Sequence, residues 1–241
     1  MTNSVEPAVK LHNIRFSFEE SADSFSMKLD FLELKKGEKV FLAGQSGSGK
    51  STLLGLICGT LVPQEGNIHI LEKDITKLSS SARDRVRADH FGIIFQLFNL
   101  LPYLSILENV LLPLNFSKSR KSAASRKSGN STTEAYRLLD ALGVDAKRIG
   151  QQTTSELSVG QQQRVAAARA FIGYPEIIVA DEPTSSLDEG HQEKFMQLLF
   201  EEANRSGATL IMVSHDRRLA EHFDRVIELE DLCQIEPEIV N

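Results

Sequence analysis

The chain has 241 residues, enough for one large α/β domain or a domain carrying a smaller helical lobe. Hydrophobic residues make up 41% and charged residues 25%, ordinary for a globular protein, and the net charge is −6. That acidic balance argues against a general nucleic-acid binder, whose affinity comes from neutralising phosphates with Lys and Arg.

Two cysteines, Cys58 and Cys233, are too few and too distant for a disulfide framework or a metal cluster, and read as buried thiols in a reducing compartment. No apolar run approaches the roughly 20 residues of a membrane-spanning helix. Residues 1–10 lack the basic-then-apolar pattern of a signal peptide. The expectation is a cytoplasmic protein that reaches a membrane only by docking to a partner.

The first forty residues predict β structure. Phe25, Met27, Leu29 and Phe31 alternate with Ser26, Lys28 and Asp30, the period of a half-buried strand. Lys35 to Glu38 reads as a turn, and Val40 to Ala43 as a short buried strand that runs into a glycine-rich loop. A helix follows from Lys50, carrying Leu53, Leu54, Leu56 and Ile57. Further strands are predicted at 67–71, 91–95, 177–180, 208–213 and 225–229. A helix through Phe195, Leu198, Leu199 and Ala203 is closed by Gly207. Strands alternating with helices imply a largely parallel sheet with crossovers.

Residues 98–170 read differently, with helical patterns at 106–112, 134–142 and 160–172 and no convincing strand. A helical insertion is the simplest account. Within it, residues 117–133 are rich in Ser and Lys/Arg, contain no acid, and are expected to form a flexible surface loop. The alternative is a contact to anionic lipid headgroups or an acidic partner surface.

Two segments carry chemistry. Gly44-Gln45-Ser46-Gly47-Ser48-Gly49-Lys50-Ser51, followed by Thr52, fits the phosphate-binding pattern G-x-x-x-x-G-K-[ST] between an apolar strand and a helix. Glycines let backbone N–H groups turn inward around an anion, and the helix N-terminus adds partial positive charge. Lys50 is then placed for the β- and γ-phosphates, and the Ser51 hydroxyl for Mg²⁺. Downstream, the strand at 177–180 ends in Asp181 and Glu182, at the strand edge where α/β sheets bind ligands. Asp181 suits the metal, and Glu182 suits the water that attacks the γ-phosphate.

Leu157-Ser158-Val159-Gly160-Gln161 resembles the signature motif of ABC ATPases, and the resemblance covers nearly the whole chain. Gln96 is similar to that family's Q-loop glutamine and a further candidate for Mg²⁺. Ser185-Ser186-Leu187-Asp188 resembles its D-loop, His215 its switch histidine, and Phe18 the aromatic residue that stacks on adenine. The resemblance implies a P-loop NTPase core with a mixed, largely parallel sheet, at about 1–97 and 173–241. It also implies an N-terminal antiparallel β subdomain and an inserted α-helical subdomain at about 98–172.

It implies ATP and Mg²⁺ as ligands, and two cassettes that sandwich ATP. Ser158, Gly160 and Gln161 of one then face the phosphate loop of the other, Gln96 and His215 sense the γ-phosphate, and Asp188 couples the sites. Two departures stand out: Val159 replaces a glycine of the usual signature, and Phe18 replaces the commoner tyrosine.

The run Phe95 to Pro102, with Leu107-Glu108-Asn109-Val110 and Pro113-Leu114, resembles the branch of macrolide exporters and the lipoprotein-release ATPase. The expected role is the ATPase subunit of a transporter on the inner face of the cell membrane. Its expected partners are an integral membrane permease and a second copy or paralogous cassette, with no specific nucleic acid. Phe98, Leu100, Leu101 and Tyr103 are the candidate apolar groove for the permease, or else core of the helical lobe. The competing reading is a soluble ABC ATPase acting on nucleic acid or ribosomes.

Overall fold

The computed structural model describes residues 6–18, 25–45 and 47–236. In chain order the first half contains β1 (Pro7–Ser17), β2 (Ser26–Lys35), β3 (Lys39–Ala43), α1 (Lys50–Ile57), β4 (Glu65–Ile70), β5 (Lys73–Asp74), α2 (Ser80–His90) and β6 (Phe91–Ile94). Then come α3 (Ile106–Leu111), α4 (Lys118–Ser128), α5 (Ser131–Ala141), α6 (Ala146–Ile149) and α7 (Val159–Phe171). The chain continues through β7 (Ile177–Asp181), α8 (Glu189–Ser206), β8 (Thr209–Ser214), β9 (Arg225–Glu228), α9 (Leu229–Leu232) and β10 (Gln234–Glu236). Among the described residues no helix is long and apolar enough to cross a membrane. Cys58 and Cys233 are both buried free thiols, and burial pushes the Cys233 thiol up to about 12.

The chain divides into two compact units. The first comprises residues up to Arg87 with those from Ile211 onward, and the second is Ala88–Leu210. In the first unit, β1 pairs antiparallel with β2 and β4, and β10 and β5 extend this sheet at its two edges. In the same unit β3 pairs in parallel with β9, and the core-facing run Val40 to Ala43 is fully buried. In the second unit β6 pairs in parallel with β7, Phe91 opposite Ile177. All helices from α3 to α7 therefore belong to the single crossover between two neighbouring parallel strands.

The alternation expected of β2 fails at one position. Met27 and Leu29 are buried, yet Phe31 is half exposed and Leu32 takes its place in the core. Asn13 sits at φ 52°, and the β1–β4 register shifts by one residue there, which is a β-bulge. The buried residues of β1 change parity across it, from Val9 and Leu11 to Ile14 and Phe16. Strand β2, paired residue for residue with β1 from Val9 to Ser17, carries the same flip. Gly66 of β4 makes room for the bulge: at φ 93°, an added Cβ would stand 2.4 Å from the Asn13 carbonyl oxygen. Gly66→Ala is expected to cost about 2–3 kcal/mol; urea unfolding checks it, and a loss under about 0.5 kcal/mol contradicts it.

Residues 117–133 are not a loop. They form α4, the turn at Gly129 and the start of α5, each helix capped by a side chain (Ser117 to the Arg120 N–H, Asn130 to the Thr133 N–H). Their polarity misleads because α4 buries only Ala124 and Arg120, and Arg120 is held by carbonyl oxygens rather than by apolar packing. Helix α2 gave no sequence signal for a related reason, since only Val86 on it is buried. In α8 the predicted spacing holds, with Phe195, Leu199 and Ala203 buried and Gly207 at φ 72° closing it.

Candidate functional site

The first unit holds a phosphate-type cradle. Strand β3 delivers the chain into Gly44 and Gln45, and the loop returns through Gly47 and Gly49, both at φ 80°, into α1. Ser46 lies outside the described residues. Helix α1 starts with no side-chain cap and no acid in its first turn, leaving its leading N–H groups to an anion. Lys50 Nζ folds back over the loop and donates to the carbonyls of Gly44 (2.7 Å) and Gln45 (2.6 Å). The Ser48 hydroxyl is buried with no partner, which costs free energy unless a ligand meets it. Ser51 is exposed at the mouth, and Thr52 is turned into the core.

Two further groups border this cradle. His215, exposed just after β8, lines a cavity of about 130 Å³ with Gly44, Gln45 and Arg217. Arg217 holds Glu228 at 2.9 Å. Phe18 is 60% exposed, with its ring edge-to-face on Phe16 at 5.0 Å and tilted against Phe25 at 5.7 Å. Phe25 in turn lies beside the loop, since its ring would stand 3.2 Å from a Cβ added at Gly49. An open aromatic face is thus carried next to the phosphate cradle. The alternation placed Phe25 on a strand face but gave no hint of this supporting role.

The second unit gathers the remaining candidates around α7 and β7. Strand β7 ends in Asp181 and Glu182, both half-buried, and Glu182 takes the left-handed φ of 45° before the buried Pro183. For a side chain of this size that conformation stores about 1 kcal/mol or more and sets the direction in which the side chain leaves the backbone. Gln163 of α7 donates from its amide to the Pro183 carbonyl, pinning the turn after the acids.

At the start of α7, Ser158 and Gln161 form a capping box. The Ser158 hydroxyl oxygen accepts from the Gln161 N–H, and the Gln161 side chain accepts from the Ser158 N–H at 2.9 Å. Gln161 is therefore engaged in shaping the helix start, while the Ser158 hydroxyl hydrogen stays available to donate. A cavity of about 360 Å³ opens here, lined by Ser158, Val159, Gly160, Ser186 and Asp188. A Cβ at Gly160 would meet only Leu187, at 3.8 Å, and Val159 is 48% exposed. Asp188 caps α8 and its carboxylate sits 2.8 Å from His191 Nδ1; that hydrogen bond holds the carboxyl below its usual range.

Gln96 is exposed in the turn after β6. The next residues, Phe98 (φ 58°) and Asn99 (φ 49°), form a left-handed bend clamped by Arg169 of α7, which donates to both their carbonyls, 2.6 Å at Asn99. Arg169 was not singled out from the sequence. The clamp turns Phe98 inward, so it is 7% exposed and belongs to the core rather than to an outer groove. Leu97 and Tyr103, 82% and 76% exposed, are the apolar side chains this segment presents.

Thus His215, Phe18 and the cradle belong to the first unit. Gln96, Ser158, Gly160, Gln161, Asp181, Glu182 and Asp188 belong to the second.

The chain is similar to known proteins over most of its length. Residues 28–185 match the family described as "ABC transporter". The chain is 40% identical over 225 residues to YbbA of Escherichia coli K12, an uncharacterized ABC transporter ATP-binding protein, covering 93% of this chain and 95% of that one. It is 37% identical to the lipoprotein-releasing system ATP-binding protein LolD of Novosphingobium aromaticivorans, covering 94% and 97%. Among solved structures it resembles the dimeric post-hydrolysis state of the cassette MJ0796 of Methanocaldococcus jannaschii bound to ADP and phosphate. The TM-score is 0.78 at 36% identity, covering 97% of this chain and 100% of that one.

Proposed function

The chain belongs to the ABC transporter ATP-binding family, and on that premise we propose that it is the ATP-hydrolysing motor subunit of a transport complex at the inner face of the cell membrane. The observation that carries this reading is the cradle itself, whose lysine is tied to two carbonyls of its own loop beside a buried, unpartnered serine hydroxyl.

When ATP enters, Lys50 exchanges those carbonyls for the β- and γ-phosphate oxygens, and the N–H groups of the loop and of α1 surround the remaining charge. The Ser48 hydroxyl gains the partner it lacks. Phe18 offers its exposed ring to the adenine face. Mg²⁺ would draw on the hydroxyl oxygen of Ser51, the carboxylate of Asp181 and the side-chain oxygen of Gln96, oxygen donors of the kind a hard cation requires. That ion, when bound, neutralises charge on the β- and γ-oxygens.

Glu182 orients the attacking water and draws its proton, and His215 steadies the γ-phosphate. Two cassettes, this chain with a copy or a paralogue, close on ATP. The Ser158 hydroxyl and the N–H groups around Gly160 then reach the other cassette's γ-phosphate, and Asp188 couples the two sites. Hydrolysis releases the contact, and the cycle of closing and opening drives an integral membrane permease. The likeness to a lipoprotein-releasing ATPase supports export or extraction as the kind of work done.

Lys50→Ala is expected to weaken ATP binding roughly a hundredfold, because it removes charge-assisted hydrogen bonds to phosphate. Nucleotide titration of the purified chain reads this directly, and unchanged affinity contradicts the assignment. Affinity purification of the chain from native membranes with Mg·ATP tests the transport role. A stoichiometric polytopic membrane protein is the expected companion, and recovery of ribosomes or nucleic acid instead overturns that part.

A further inference from the structure

We propose that the outward face of α4 is a docking surface for an anionic lipid bilayer. Lys118, Lys121 and Arg126 are exposed on this helix. None of the three makes an ion pair with a described residue, and the sequence from 117 to 133 contains no carboxylate in a chain of net charge −6. Lys127 is set apart, since its ammonium lies 3.8 Å over the Tyr174 ring. The nearby Asp89 carboxylate is occupied by the hydroxyls of Ser117 and Ser119 and sits in the field of the buried Arg120.

Helix stability does not account for the two lysines, although the dipole does favour Arg126 in the last turn. Lys118 and Lys121 stand in the N-terminal half of α4, where the helix dipole disfavours positive charge. A protein partner does not account for them either. The exposed side chains of α4 are Lys, Arg and Ser, and the one ring of Phe116 beside it is too little for the desolvated apolar centre that protein interfaces need, in which Lys is depleted. A bilayer surface has no such requirement: headgroup phosphates need only mobile cations and hydroxyl donors at the surface. Phe116, 71% exposed immediately before α4, supplies an aromatic ring of the kind that settles at the headgroup level. Contact with the bilayer would orient the second unit independently of the permease.

The test uses the full chain without nucleotide, in flotation with vesicles of equal parts phosphatidylglycerol and phosphatidylcholine. Wild type is expected to partition onto these and not onto vesicles of phosphatidylcholine alone, with partitioning weakened by added salt. The triple variant Lys118→Gln, Lys121→Gln, Arg126→Gln is expected to lose roughly a hundredfold in partitioning, about fivefold per charge, with ATPase activity retained. Phe116→Ala, which leaves the charge intact, is expected to lose partitioning several-fold and to guard against a folding artefact in the triple variant. The proposal falls if wild type fails to float with the anionic vesicles, or if the triple variant floats like wild type. It also falls if an RNA oligonucleotide competes as strongly as the lipid, because the face is then a general polyanion site.

Discussion

Glu182→Gln is expected to lower the steady-state ATPase rate about a thousandfold while leaving ATP affinity within a few-fold of wild type. The substitution keeps shape and volume and removes only the negative oxygen that draws the proton from water. Backbone strain at φ 45° is the same for Gln as for Glu, and the Pro183 carbonyl held by Gln163 fixes the turn in both. The loss therefore reports chemistry rather than misplacement. With hydrolysis stalled and ATP retained, the closed pair of cassettes accumulates, so size-exclusion chromatography with Mg·ATP should show a dimer that wild type does not hold. Single-turnover hydrolysis at the wild-type rate would remove Glu182 from the catalytic role. Unchanged hydrolysis with altered nucleotide affinity would reassign it to binding.

What the sequence made legible follows from local physics. A phosphate loop is written in closely spaced glycines and a lysine because backbone conformation and anion geometry dictate them within eight residues. Strand β7 with its acidic end is equally local. Supports that depend on distant residues were not legible. Arg169 is one of two arginines on α7, and nothing in its neighbours announces that it clamps Phe98 and Asn99. Phe31 read as core because alternation assumes an unbroken ladder, and a single bulge at Asn13 inverted it. Residues 117–133 read as loop because hydrophobic periodicity is the main helix signal, and α4 is anchored by a buried guanidinium instead. For Arg169 and for residues 117–133 the missing information was a hydrogen bond between residues far apart in the chain, and for Phe31 it was the register of a neighbouring strand. Glu134, buried on α5, belongs with these, since Arg137 joins it at 2.6 Å to Glu202 of α8 at 2.7 Å.

Arg120→Met is expected to be among the most destabilising single substitutions in the second unit, at about 3–5 kcal/mol. Helix α7 ends at Phe171, and the chain then turns through Gly173 and Tyr174 at φ 78° and 57°, so the carbonyls of Ala170 and Ile172 face away from any helical partner. Arg120 meets them, with Nε to Ile172 at 2.9 Å and Nη2 to Ala170 at 2.9 Å, while Nη1 donates to Phe91 of β6 at 2.8 Å. One guanidinium thus ties α4 to the C-terminus of α7 and to β6, with the helix dipole in its favour. Burial pulls it down to about 10, the fields of Glu176 and Asp89 opposing, so it stays protonated at neutral pH. Methionine fills much of the volume but withdraws the donor from three buried carbonyls, and each acceptor left unsatisfied costs about 1–3 kcal/mol. Arg120→Lys keeps the charge with fewer well-placed donors and should recover about half of the loss. Guanidinium unfolding followed by two probes measures both variants, and a loss below about 1 kcal/mol for Arg120→Met would show that water replaces the guanidinium. Because α7 carries Ser158 at its other end, ATPase activity of the folded Met variant should fall with stability, and activity retained at full stability loss would separate the anchor from the site.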